Sequence, residues 1–472
     1  MGFSAAAPVN RYRNHTTSMN SSLDMHQGYE QGKECTWIPV GPPIFAKSIN
    51  NKKSIRVDMI RKSFIMVAFL FVLASAIIFF IHDVNARTLY VGGTGDGNYT
   101  SIQQAVNNAT DGDVIYVYSG VYNENIFIPK YVNSLKLIGE NRDTTVINGV
   151  KENYATLEIW GKNCTFENFT VTSGERSTSI ITISYTDHVR IINNRIEANN
   201  NTCIYMFFST NVTILNNSIT GGGINIVGGS LENWNTHIIS GNTLNGRGLY
   251  YIKDVSNFVI SSKEVSQIIL VNCTDGSIKN VDVSEGIIGI FMAFSSNNVV
   301  EKCHIHDNHY GIFLHESKDN IIEDNLVENN TYGIYVTLSS YNEIKNNLIR
   351  WNENCGCWLC CGSFYNTIYM NNFTMNEKNA HDAGIFNRWY HKKVGNYWGD
   401  YNGTDDDGDG IGDSPYVVSV RENETVEDKY PIVSFEKVIS SNNQTPSVDI
   451  SVSLLVITLI AVIKILKKRE QK

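Results

Sequence analysis

Proline is scarce in this chain, 8 among 472 residues, and charged side chains make up only 18%. The net charge is −9, so no basic stripe is available to displace the counterions of a nucleic acid, and nucleic acid is excluded as a partner. The dense basic runs, Lys52-Lys53 with Arg61-Lys62 and Lys467-Lys468-Arg469, flank apolar segments, a placement that speaks of membrane topology. Few stretches carry the 3.6-residue apolar period of an amphipathic helix, which argues against a helical protein. Asn, Ile, Thr, Tyr and Gly dominate instead. β-Branched and aromatic side chains suit a pleated, half-buried surface, so the composition points to an all-β chain.

Two long apolar runs set the topology. Phe64 to Ile81 follows Arg61-Lys62 and precedes Val84-Asn85-Ala86, the pattern of a secretory signal cleaved after Ala86, with an uncleaved membrane segment as the competing reading. Residues 59–86 are assigned accordingly, and 1–58 are an unassigned polar extension without a core-forming pattern. Residues 450–466 read as a transmembrane anchor, because Lys464 can snorkel and the tip at 467–472 is basic. Residues 436–449 are a linker. Asn-x-Ser/Thr triplets spread from Asn98 to Asn443 fit a glycosylated exterior.

A repeat sets the fold. From Asn298, Asn320 and Asn342 the chain restarts a similar unit, and a fourth opens at Asn366, at spacings of 22, 22 and 24 residues. Gly311 and Gly333 hold equivalent places, with Gly356 one step later. Upstream, Asn163, Asp187, Asn211 and Asn235 lie 24 apart and Asn257 follows after 22, as though the same frame ran on. Apolar residues such as Ile322, Val327, Ile334 and Val336 fall at strand spacing interrupted by turns. One such unit cannot bury its apolar face or pair its own backbone. Copies stacked about 4.8 Å apart do both. The expected fold is a right-handed parallel β-helix over residues 87–380, with Asn325, Asn347 and Asn371 stacked as an amide ladder. Ile102, Ala105, Val106 and Ala109 share a helical face behind Ser101, which predicts a short N-terminal capping helix.

Thr100–Ile128 resembles the opening of pectin-lyase-like β-helices, and the later turns resemble the NosD family of periplasmic or surface β-helix proteins. Gly395–Val418 with Asp428–Val433 is similar to that family's C-terminal signature, so 381–435 are read as a C-terminal cap. The resemblance covers roughly residues 87–435. It implies a right-handed β-helix, an extracytoplasmic location and association with carbohydrate-binding or carbohydrate-modifying architecture. The family name is linked to copper delivery for nitrous oxide reductase.

Three constellations can carry chemistry. Asp405, Asp407, Asp409, the Ile411 carbonyl and Asp413 copy the spacing of a calcium loop, with Tyr416 where a bidentate Glu would complete it; an acidic, solvated turn is the plain alternative. His304 and His306 flank the inward Ile305 and so share an outward face. With Cys303, His309 and His315 nearby they are a candidate copper-type cluster, against an ordinary exposed strand. Phe313, Tyr335 and Trp358 occupy matching outward places where they could stack sugar rings. Glu301, Asp307, Glu316, Glu323, Asp324 and Glu328 are outward carboxylates without an active-site motif. Cys355, Cys357, Cys360 and Cys361 read as core cysteines with room for one disulfide. The expected protein is a membrane-anchored surface β-helix that binds or organises carbohydrate or envelope partners. The alternatives are a polysaccharide lyase or hydrolase and a copper-handling protein.

Overall fold

Strands of this length cannot stand alone, and the chain solves the problem by coiling. A computed structural model describes residues 86–442 apart from 174–177, 199–200, 262, 361 and 422–423. The polar extension, the apolar segments at 64–81 and 450–466 and the basic tip lie outside the described residues. About 13 coils stack as a parallel β-solenoid with little helix. Three interior columns show why. Ile278, Val300, Ile322, Ile344 and Ile368 lie in register on successive coils. Val283, Ile305, Val327, Ile349 and Phe373 form the second column, and Ile290, Ile312, Ile334 and Cys357 the third. All are essentially inaccessible to solvent. Each coil thus supplies the apolar floor for the next, and backbone groups pair along the stack.

The corners are held by buried amides. Asn347 receives the Asn325 backbone N–H and its side-chain Nδ2, both at 3.0 Å, and donates to the Ile322 carbonyl at 2.8 Å and to Asn371 Oδ1 at 2.9 Å. Asn396 continues this ladder beyond Asn371. Parallel ladders run through Asn298, Asn320, Asn342 and Asn366 and through Asn308, Asn330, Asn352 and Asn376. The recurrent glycine has an equally local reason: a Cβ on Gly333 would lie 2.4 Å from the Gly356 carbonyl oxygen.

The sequence frame from Asn235 to Asn257 suggests one continuous array, and the structure corrects this. Asn245 and Gly246 both adopt positive φ, 51° and 77°. That is what a type I′ hairpin requires. Thr243–Leu244 therefore pairs antiparallel with Arg247–Lys253, and the coils then restack in parallel on Glu264–Val271. Two stacks result. Offsets in the second hold at 22 residues from Ser277 through Val299 and Ile321 to Glu343 and widen to 24 at Thr367. In the first they vary, from 20 between Ile204 and Ile224 to 31 between Ile126 and Leu157.

Strand Ile224–Val227 ends the first stack and would leave a bare edge. Gln267 on the wall of the second stack covers it. Its side-chain oxygen accepts from the Ile224 N–H at 3.0 Å, and its Nε2 donates to the Ile224 carbonyl at 2.7 Å. Trp234 packs edge-on against Phe291 at 5.2 Å and flat against His315 at 5.0 Å. The core of the first stack and the wall of the second consequently form one apolar cluster.

Both outer ends are capped. Helix Ile102–Asn108 closes the N-terminal end, with Ile102, Ala105 and Val106 buried. Ser101 caps it weakly, at 3.4 Å to the Gln104 N–H. Glu124 contributes more, accepting from the N–H groups of Ile102 and Gln103 at 2.8 and 2.9 Å. At the far end Trp398 stacks on Phe373 at 4.7 Å, and Tyr416 stacks on Trp398 at 4.1 Å. A helix over Phe435–Asn442 occupies part of the stretch expected to be linker.

Candidate functional site

One corner of the second stack faces the last coils of the first. The strand column Asp282–Ser284, His304–His306, Leu326–Glu328 and Leu348–Arg350 runs along this side in parallel register. Because Val283, Ile305, Val327 and Ile349 point inward, their neighbours point out. The His304 and His306 rings lie face to face at 4.1 Å. Asp282 spans both: its carboxylate is 3.2 Å from His304 Nδ1 and 3.3 Å from His306 Nε2. The other nitrogens also meet carboxylates, His304 Nε2 with Glu328 at 3.0 Å and His306 Nδ1 with Asp307 at 2.7 Å. Arg350 Nε donates to Glu328 at 2.8 Å.

The charges are coupled. Hydrogen bonds from His304 and then His306 hold the Asp282 carboxyl well below the usual carboxylate range. Burial opposes charge on His304, but Asp282 and Glu328 outweigh it and raise its pKa. Burial likewise works against the Glu328 carboxylate, yet His304 and Arg350 bring its pKa down. Of the five candidate ligands in the sequence, only His304 and His306 come together. Cys303 packs inside the coil. His315 lies buried beside Trp234, and burial pushes it down to about 4. The third member, Asp282, was not among the candidates because it sits in a coil whose register is irregular in sequence. Two imidazoles and a carboxylate nevertheless suit copper or zinc by donor type.

Next to this column, where the chain turns the corner, a cleft of about 590 Å³ opens between the stacks. Glu285, Asp307, Asn329, His309 and Glu353 line it from the second stack, and Thr220, Gly221 and Asn245 from the first. Glu285, Asp307 and Asn329 all hold positive φ, between 54° and 64°. They follow Ser284, His306 and Glu328, so the strand register places them in one column. Burial pushes His309 down to about 4, leaving a neutral imidazole in the wall at pH 7. Asp307 is shared: it lines the cleft and holds His306. Of the outward carboxylates visible in the sequence, only Asp307 belongs here. Glu301 and Glu323 lie on a different face, in the sheet containing Val299–Glu301 and Ile321–Glu323.

The aromatic column is in register as expected, Phe313 to Tyr335 to Trp358, but it is not an open sugar platform. Phe313 is only 4% exposed. It stacks on Phe291 at 4.9 Å, inside the cluster that joins the two stacks. Tyr335 and Trp358 are half-buried, and His381 covers Trp358 at 4.1 Å. The outward direction was legible, whereas the coverage by neighbouring rings, Phe291 on Phe313 and His381 on Trp358, was not. In the acidic loop Asp405, Asp407 and Asp409 converge within 4.8 Å, which suits a hard cation. Asp413 turns away to the Asp406 N–H at 2.7 Å, and the Lys437 ammonium lies 3.1 Å from Asp405. Asp409 binds the Ile411 N–H at 2.7 Å, which fixes the turn. Cys355, Cys357 and Cys360 are all buried.

Stacked coils of this kind define the class: a parallel β-helix protein. Within it, residues 250–403 match the family model of NosD, described as a periplasmic copper-binding protein, and residues 88–218 match that of pectinesterase. The chain is 45% identical over 67 residues to probable pectinesterase/pectinesterase inhibitor 6 of Arabidopsis thaliana, 13% of this chain and 12% of that protein. It is 39% identical over 108 residues to probable pectinesterase/pectinesterase inhibitor 41 of the same plant, 19% of each. The chain thus spans less than a quarter of the length of the curated relatives it matches. Among solved structures, a pectin methylesterase from carrot aligns at 14% identity and a TM-score of 0.28, covering 55% of this chain and 82% of that one. The A-module of a mannuronan C-5 epimerase from Azotobacter vinelandii aligns at 13% identity and a TM-score of 0.25, covering 64% and 100%.

Proposed function

We propose that this protein is an extracytoplasmic carbohydrate-active enzyme that takes a glycan segment into the cleft between its two stacks. The carrying observation is the lining: three carboxylates, Glu285, Asp307 and Glu353, and a half-buried His309 with a lowered pKa face one space otherwise walled by amides, hydroxyls, glycine, Ala198 and Ile287. Carboxylates and an imidazole are groups that move protons in glycan chemistry. The pectinesterase match supports the substrate class. It covers the N-terminal helix and early coils and reaches the cleft only at Ala198. The lining charge narrows that class further. An acidic wall repels a polyanion, so a neutral or esterified polysaccharide is the fitting substrate. Location outside the cytoplasm agrees with the periplasmic description of the NosD family, and tethering through residues 450–466 belongs to the same proposal.

The test is product release by the full chain from methyl-esterified pectin, its de-esterified form and neutral glycans. Product is expected from the esterified or neutral polymers. Asp307→Asn and Glu353→Gln should each reduce turnover by about 100-fold or more while leaving the melting temperature unchanged. Retention of glycan without product would overturn the enzymatic reading and favour a binding module. No interaction with any glycan would remove the whole proposal.

A further inference from the structure

We propose that Trp351, with Met375 beside it, is a sugar-stacking subsite that extends the cleft along the corner of the second stack. This reading rests on the carbohydrate proposal and adds to it the length and direction of the glycan. Strand register carries the placement. His306, Glu328, Arg350 and Thr374 pair in succession, so the residues that follow them, Asp307, Asn329, Trp351 and Met375, stand one above another. All four hold positive φ, between 54° and 56°. Asp307 and Asn329 line the cleft, and so does Glu353, two residues beyond Trp351 on the same coil. The indole therefore stands at the end of the cleft, two coils or about 10 Å from Asp307.

The corner changes character at this point. Polar residues in the cleft give way to two apolar ones in solvent, Trp351 at 38% and Met375 at 69% exposure. Large rings are usually buried, so an open one at the mouth of a polar cleft marks a contact surface. The ring is also held in place. The Arg350 guanidinium lies over it, 4.0 Å from the ring centroid, and Arg350 is itself fixed by Glu328 at 2.8 Å. The indole Nε1 donates to Met375 Sδ at 2.9 Å. Arg350 takes one face and Met375 the nitrogen edge, which leaves the opposite face, already oriented, for a ligand. The C–H face of a pyranose suits it, because partly positive C–H groups meet the negative face of the ring. Such stacking needs no charge on the sugar, in keeping with a neutral or esterified polymer. A glycan that reaches from Asp307 to Trp351 runs parallel to the axis of the coils. The column of Phe313, Tyr335 and Trp358 lacks this opening, since other rings cover Phe313 and Trp358.

Steady-state kinetics of the full chain on short and long oligosaccharides of methyl-esterified pectin and of a neutral glycan test the subsite. Trp351→Ala should raise KM about 10-fold for the long members and leave it unchanged for those too short to reach from Asp307 to the ring. The kcat should stay within about twofold, because the indole lies away from the reacting groups. Trp351→Gln, which keeps a long polar side chain at the corner, should behave in the same way, and Trp351→Phe should restore most of the loss. Where a glycan is bound without turnover, the dissociation constant should show the same dependence on length. An unchanged KM for long oligosaccharides in a Trp351→Ala variant that still turns them over would overturn the subsite and leave the cleft proposal standing. An equal rise for short and long members would do the same. Neither turnover nor binding of any length by the unsubstituted chain would remove the cleft proposal, and the subsite with it.

Discussion

Asn347→Leu is expected to lower the unfolding free energy by about 4 kcal/mol, because the substitution strips several buried groups of their partners at once. Leucine has similar volume, so packing alone would change little. What disappears is the acceptor for the Asn325 N–H and side chain, and the donor to the Ile322 and Lys345 carbonyls and to Asn371. All but the part-buried Lys345 carbonyl lie in a corner without access to water, where each unpaired group costs about 1–3 kcal/mol. Urea unfolding of the two proteins measures the difference. Breaking the partly exposed Lys345–Glu343 pair, 2.8 Å apart, by Glu343→Gln should cost under about 1 kcal/mol. Equal costs for the two substitutions would mean that the ladder is decoration.

Asp428→Ala should lower stability by about 3 kcal/mol, through the C-terminal cap. The Asp428 carboxylate accepts from the Asn396 N–H at 2.7 Å, Trp398 Nε1 at 2.9 Å and the Tyr430 N–H at 3.0 Å. A Cβ on Gly395 would sit 1.9 Å from its Oδ1, so that glycine makes room for it. Burial pushes Asp428 up to about 6, against the pull of these donors. The folded protein therefore holds this proton more tightly than the unfolded chain, and the group's contribution to stability is greatest below about pH 4 and falls as pH rises from about 4 to 6. Relative to Asp428→Asn, which has nothing to titrate there, the native protein should lose stability across that window and run parallel above it. A difference that stays constant from pH 4 to 7 would contradict the assignment.

This second prediction also explains the most specific motif in the sequence. The segment around Gly395, Asn396 and Trp398 and the one around Asp428, which resemble a C-terminal signature, meet to close the end of the solenoid. Similarly, Glu124 in the early coil is held by the N-terminus of the capping helix.

What the sequence made legible follows the same logic. Where one coil rests on an almost identical coil, as from Asn298 to Asn366, the inward residues, the amide ladder and the glycine column can be read directly, because each residue's neighbour is its own repeat. The helix behind Ser101 is legible because its face has a period. The break at Asn245-Gly246 carried a hairpin signal, but Asn235 and Asn257 keep nearly the repeat spacing across it and conceal the reversal. Everything that depends on two stacks meeting is invisible to periodicity. Phe313 points outward, as its register requires, and joins the apolar cluster that links the two stacks. Glu285 and Glu353 become part of a lining only when Thr220 and Asn245 stand opposite. His304 and His306 were recognisable as an i, i+2 pair, whereas Asp282 needed the three-dimensional register.

The central claim is that the space between the stacks is where a glycan lies. A crystal structure of the full chain with an esterified or neutral oligosaccharide tests it most directly. Density for sugar rings should run through the cleft within hydrogen-bonding reach of Asp307, His309 or Glu353. Rings bound on an outer face of either stack, with the cleft vacant at saturating ligand, would contradict it.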